Sequence, residues 1–145
     1  MIGMVLIAHE HIAREMVAAV EHVVGKTALL KAVNVRPDHD PELLNRELQA
    51  ALAACETGDG VLVLADMFGG TPCNIAIGSM RNSNVEVISG FNLPMLIKAV
   101  HLRKNDLSLT ALAQQVVAAG RKYICQASER LGKGTPACQD PRTNA

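Results

Sequence analysis

Residues 60–72 read GVLVLADMFGGTP, and this stretch decides the fold. After Gly60, five apolar residues run from Val61 to Ala65 without a polar interruption. That is the pattern of a strand buried on both faces. Asp66, Met67, Phe68, Gly69 and Gly70 then break the run. Thr71-Pro72 opens a helix, with the threonine suited to the N-cap and the proline to the first helical position. A buried strand that passes through a short glycine-rich loop straight into a helix is one βα unit of a parallel sheet.

The flanking sequence repeats this unit in both directions. Upstream, residues 2–8 form a second apolar run, followed by Ile12, Met16, Val20, Val23 and Val24 at helical spacing until Gly25. Residues 29–35 read as another strand, closed by Arg36-Pro37. Pro41 then suits the first turn of a helix with Leu43, Leu44, Leu48, Ala51 and Leu52 on its apolar face. Downstream, residues 85–89 make a fourth strand, and Gly90-Phe91-Asn92-Leu93-Pro94 leads into a helix reaching about Leu102. The last long helix is expected from about Ser108 to Ala119, with Gly120 as its stop. Residues 122–126 read either as a short C-terminal edge strand or as more of that helix. The expected class is therefore α/β: a doubly wound, mainly parallel four-stranded sheet with helices on both faces. One domain is expected over residues 1–131, and residues 132–145 form a polar tail expected to be disordered.

Composition fits this class and narrows the function. Hydrophobic residues make up 49% of the 145, so a single sizeable core is within reach, while aromatics are only 2%. Fourteen basic residues balance fourteen acidic ones. Without a basic footprint or aromatic stacking platforms, nucleic-acid binding is not expected. Cys55, Cys73, Cys125 and Cys138 form no zinc-like spacing and are read as reduced thiols. The N-terminus has no basic n-region, and no stretch approaches the ~20 apolar residues of a membrane helix. A soluble, cytoplasmic protein is expected.

In doubly wound sheets, ligands bind outside the carboxyl ends of the strands. His9 follows the first strand, Asp66 the third, and Ser89-Gly90-Phe91-Asn92 the fourth. These residues converge on one rim if the first and third strands are neighbours. Asp66 would then accept a hydrogen bond from one imidazole nitrogen of His9, leaving the other free as a nucleophile. Gly69-Gly70 lets the backbone approach a ligand, and the helix start that follows offers free N–H groups to an anion. Taken singly, His9 reads equally as a strand-end histidine and Asp66 as a turn residue. His11, close to His9, leaves a metal site of His9, His11 and Asp66 as a minor alternative. His22, His39 and His101 read as unpartnered surface residues, and Lys98 and Arg103 as solvated helix charges. Met67, Phe68 and Phe91 are candidates to wall the pocket against water.

Three stretches also resemble a known family: VLIAH ending at His9, LADMFGGTPCN over residues 64–74 and SGFNLPML over residues 89–96. In these the chain is similar to the enzyme IIA component of the mannose family of the bacterial phosphoenolpyruvate:sugar phosphotransferase system. The likeness covers about residues 1–130. It implies that His9 accepts a phosphoryl group from the phosphocarrier protein HPr and passes it to a IIB partner. It implies that Asp66 orients His9, and that Phe68, Gly69, Gly70 and Thr71 with the following helix hold the phosphoryl oxygens. It further implies a cytoplasmic homodimer that needs neither a cofactor nor a metal. Because no linker or IIB domain follows residue 130, a stand-alone regulatory role for the phosphorylation state of His9 is the alternative. A metal-dependent hydrolase and a nucleotide-binding module are the other classes considered, and the lack of GxGxxG or a P-loop argues against the latter.

Overall fold

The computed structural model describes residues 1–81 and 84–131. Four strands, β1 (Gly3–His9), β2 (Leu30–Val35), β3 (Val61–Ala65) and β4 (Val85–Ser89), alternate with helices. The helices are α1 (Ile12–Val24), α2 (Pro41–Cys55), α3 (Thr71–Ser79), α4 (Leu93–Leu102), α5 (Leu109–Lys122) and the short α6 (Ala127–Leu131). The strand order is β2-β1-β3-β4, and every pairing is parallel. The first and third strands are therefore neighbours, as the convergence of His9 and Asp66 requires.

Period-two alternation along β1 divides the core into two layers. Met4, Leu6 and Ala8 face a cluster built with Ala13, Val20, Leu96, Val100, Leu112 and Val116, from α1, α4 and α5. Val5 and Ile7 face the other cluster, with Leu44, Leu48, Leu52, Cys73 and Ala76 from α2 and α3. His9 continues the odd-numbered series, which places its side chain on the face of α3. All five residues of β3 are buried, because helices cover the sheet on both faces.

Several expectations need correction. Residues 122–126 form no strand: α5 runs to Lys122, and a turn leads to α6. Gly120 does not stop α5 but is buried within it. A Cβ there would lie 2.4 Å from Met95 Cε, so this glycine serves the close approach of α4 rather than a helix end. Arg103 is not solvated but only 2% exposed, because its guanidinium donates to the carbonyls of Ile2, Ala28 and Leu29. His39 is not an unpartnered surface residue. Its Nε2 lies 3.4 Å from Glu47 Oε2, and its Nδ1 accepts the Arg36 N–H at 3.4 Å. Cys55 and Cys73 are free, but Cys125 is disulfide-bonded rather than reduced. The expected tail and Cys138 lie outside the described residues.

No helix among the described residues is long and apolar enough to cross a membrane.

Candidate functional site

The site sits at the carboxyl end of the two central strands. β1 ends at His9 and β3 at Ala65, and parallel pairing of Ile7 with Ala65 brings the next residue, Asp66, beside the histidine. Asp66 Oδ2 accepts twice from His9, from the backbone N–H at 3.0 Å and from ring Nδ1 at 2.8 Å. Its other oxygen, Oδ1, accepts the Met67 N–H at 2.9 Å. Burial pushes the Asp66 carboxyl up, but the His9 N–H, the His9 ring and the Met67 N–H together outweigh it and hold its pKa below the ordinary value. An ionised carboxylate is an acceptor only, so the proton of this pair belongs to Nδ1. The Nε2 lone pair is left free.

The free nitrogen has room for a ligand. The His9 side chain is 44% exposed, against 15% for Asp66. Gly70 packs beside the ring, since a Cβ on it would lie 3.4 Å from His9 Cε1, the carbon between the two nitrogens. Gly69 adopts φ 82°, a left-handed conformation that disfavours a side chain. Helix α3 then starts one residue earlier than expected: Gly70 is its N-cap, and Thr71 and Pro72 occupy the first two helical positions. No side chain caps this end, nor the start of α1, whereas Asp40, Asn92 and Ser108 cap α2, α4 and α5. The threonine hydroxyl is thus not used as a cap. An uncapped helix start whose N–H groups face outward attracts anions.

Other expected residues fall elsewhere. Asn92 does not enter the site: its Oδ1 accepts the Met95 N–H at 2.9 Å, and its Nδ2 donates to the Gly120 carbonyl at 3.0 Å. It caps α4 and braces α5. The Gly90 and Phe91 N–H groups both reach the Ala65 carbonyl, so the loop after β4 anchors the backbone next to Asp66. Phe91 packs on the core cluster, while Met67 and Phe68 are 53% and 72% exposed. His11 is exposed at the start of α1, and no group of three His, Cys, Asp or Glu side chains among the described residues gathers to hold a metal ion. Reasoning from sequence missed which ring nitrogen is free, and it missed Glu10, which takes φ 52° directly after His9. The signal for Glu10 was available, because only two residues separate the end of β1 from the start of α1.

The family model described as the PTS system fructose IIA component, EIIA-man, matches residues 3–117. The chain belongs to this family. Over 124 residues it is 31% identical to the mannose-specific EIIAB component of Escherichia coli, an alignment covering 85% of this chain and 38% of that protein. It is 32% identical over 102 residues to the fructose-specific EIIA component of Bacillus subtilis, covering 70% and 69% of the two. Among solved structures, the phosphotransferase system component EIIA from Streptococcus agalactiae aligns with a TM-score of 0.81 at 25% identity, over 89% of this chain and 99% of that one. The chain thus spans 38% of the length of the mannose-specific relatives it matches. IIA components of this system are phosphotransferase proteins that carry a phosphohistidine intermediate.

Proposed function

We propose that His9 is the phosphoryl acceptor and that the chain carries the group from HPr to a IIB partner. The observation that carries this reading is the 2.8 Å contact of His9 Nδ1 with Asp66, which leaves Nε2 as the nucleophile. In transfer, the Nε2 lone pair forms a bond to phosphorus as the bond from phosphorus to the donor breaks, and that electron pair returns to the donor. The His9 ring then bears positive charge between Nδ1–H and the phosphorylated Nε2, and Asp66 stabilises it. Phe68, Gly69, Gly70 and Thr71, with the first turn of α3, hold the phosphoryl oxygens through backbone N–H groups and the Thr71 hydroxyl. The step uses no metal or cofactor. Passage to the acceptor reverses the same geometry.

A cytoplasmic homodimer belongs to the same reading. Its support is the outer edge of β4, unpaired among the described residues and flanked by the apolar side chains of Ile77, Met80 and Val117. Relatives are named for mannose, sorbose and fructose, so the sugar is left open.

Incubation with phosphoenolpyruvate, enzyme I and HPr, followed by mass spectrometry of the intact chain, tests the proposal. One phosphoryl group per chain is expected. His9→Ala should abolish it with the fold intact, and His11→Ala should retain it. The reverse pattern would move the acceptor to His11.

A further inference from the structure

We infer that Glu10 is a positioning residue for His9, acting through its left-handed backbone rather than through its carboxylate; this rests on the phosphoryl-carrier reading. Glu10 is one of two non-glycine residues with positive φ among those described, at 52°. It immediately follows the proposed acceptor. L-residues rarely hold this conformation, and such residues persist where the surroundings enforce them, often at functional sites.

The geometry shows why the turn is needed. His9 belongs to the odd-numbered series of β1 and faces the α3 layer, where Asp66 and Gly70 lie. Helix α1 packs in the opposite layer through Ala13, Met16, Val17 and Val20. The chain must leave the sheet toward the α1 layer, on the face opposite the His9 ring, using only Glu10 and His11, because β1 ends at His9 and α1 begins at Ile12. A left-handed residue makes so abrupt a reversal possible. Just before the turn, the Glu10 N–H continues the β1–β2 ladder onto the Val35 carbonyl at 2.7 Å, while the His9 N–H goes to Asp66 Oδ2 at 3.0 Å. At the other end of the join, the Arg14 N–H reaches Asn34 Oδ1 at 3.2 Å, again on β2. The backbone on both sides of His9 Cα is thereby fixed, one amide to β2 and one to Asp66. The ring keeps its Nδ1 contact because its own backbone does not move.

The Glu10 side chain is exposed and makes no hydrogen bond or ion pair among the described residues, so the role falls to the backbone. Glycine at this position should preserve the turn. A β-branched residue should not, since its second γ-substituent crowds the left-handed conformation.

The test compares Glu10→Gly, Glu10→Gln and Glu10→Val for phosphoryl transfer from HPr and for the ¹⁵N chemical shifts of the His9 ring. Glu10→Gly and Glu10→Gln should transfer at the parental rate and keep the Nδ1–H tautomer. Glu10→Val should lose about 10–100-fold in rate, the scale of a small misplacement of a reacting group, with a mixed tautomer signature. Should Glu10→Val fail to fold, a glycine inserted between Glu10 and His11 removes the need for the tight turn; that chain should fold, transfer slowly and show the mixed tautomer. Parental rates in Glu10→Val or in the insertion variant would overturn the inference. Equal losses in Glu10→Gly or Glu10→Gln would overturn it too, by assigning the role to the side chain. Failure of the parent to accept a phosphoryl group would sink the carrier reading alone, because the tautomer measurement tests the turn without any donor.

Discussion

Asp66 engages three N–H groups, two of them from His9, and the two functions it serves separate under substitution. An amide at position 66 can turn its NH₂ toward Nδ1. The imidazole would then carry its proton on Nε2, and the lone pair needed for attack would be lost. Asp66→Asn should therefore slow phosphorylation by HPr at least ~10-fold, the equivalent of one charge-assisted hydrogen bond at about 1.5–3 kcal/mol. A rate indistinguishable from the parent, with the fold intact, would reduce Asp66 to a turn residue. The pH dependence follows from the same contacts. The folded-state pKa of Asp66 is depressed, so its carboxylate contributes stability that is fully present above the unfolded value of about 3.9 and is lost as pH falls through the folded value. Urea midpoints measured between neutral pH and pH 3 should thus decline more steeply in the parent than in Asp66→Asn. His9 and Asp66 were legible because each directly follows an apolar run at a strand end. The choice of nitrogen was not, since it depends on a distance that only the parallel pairing of β1 and β3 sets.

At the scale of elements, the strands and helices were readable where independent local signals agreed. The β3–loop–α3 unit combines an apolar run, a glycine pair and a threonine-proline helix start, and only the N-cap moved, from Thr71 to Gly70. Gly120 shows where such reading fails. A glycine late in a helical pattern fits either a stop or a close approach, and the deciding neighbour, Met95, lies on another helix. Gly3 is a stronger case of close approach, hidden at the start of an apolar run. A Cβ there would lie 2.3 Å from the Cys55 carbonyl oxygen and 2.7 Å from Cys55 Cβ, at the last turn of α2. Backbone cannot give way as a flexible side chain can, so Gly3→Ala must push α2 off the sheet. The expected cost is about 1–3 kcal/mol, typical of overpacking in a close-packed interior. Gly78, on α3, has open space where a Cβ would stand, with nothing within 4 Å of that position. Gly78→Ala should therefore stabilise by roughly 0.5–1 kcal/mol through helix propensity. Urea denaturation of the two variants should shift in opposite directions; a harmless Gly3→Ala would mean that α2 is not packed against β1 as described.

At the end of the sheet opposite the site, a buried charged side chain ties together the segments that lead into β1 and β2. Arg103 follows α4, yet its guanidinium reaches the carbonyls of Ile2 before β1 and of Ala28 and Leu29 before β2, residues up to 101 positions away. Helical periodicity treats an arginine as a surface charge because it registers neighbours on the same helix and not carbonyls gathered from distant loops. The Ile2 carbonyl is buried and needs a donor, the Leu29 carbonyl also accepts the Met4 N–H, and an arginine reaches all three with several donors in a fixed fork. Arg103→Met keeps most of the stem and its packing but removes every donor. Leaving the buried Ile2 carbonyl unsatisfied costs about 1–3 kcal/mol, so a loss of at least ~1 kcal/mol is expected from urea unfolding. Arg103→Lys should recover only part of this, since one ammonium cannot reproduce the fork. Transfer from HPr, measured where both variants are still folded, should stay at the parental rate because His9 lies at the other end of β1. Unfolding of Arg103→Met at the parental midpoint would show that these carbonyls find other partners and that the sheet closes without the arginine. A folded Arg103→Met with slow transfer would instead show that the two ends of the sheet are coupled, and that the geometry at His9 depends on how β1 and β2 are held at their starts.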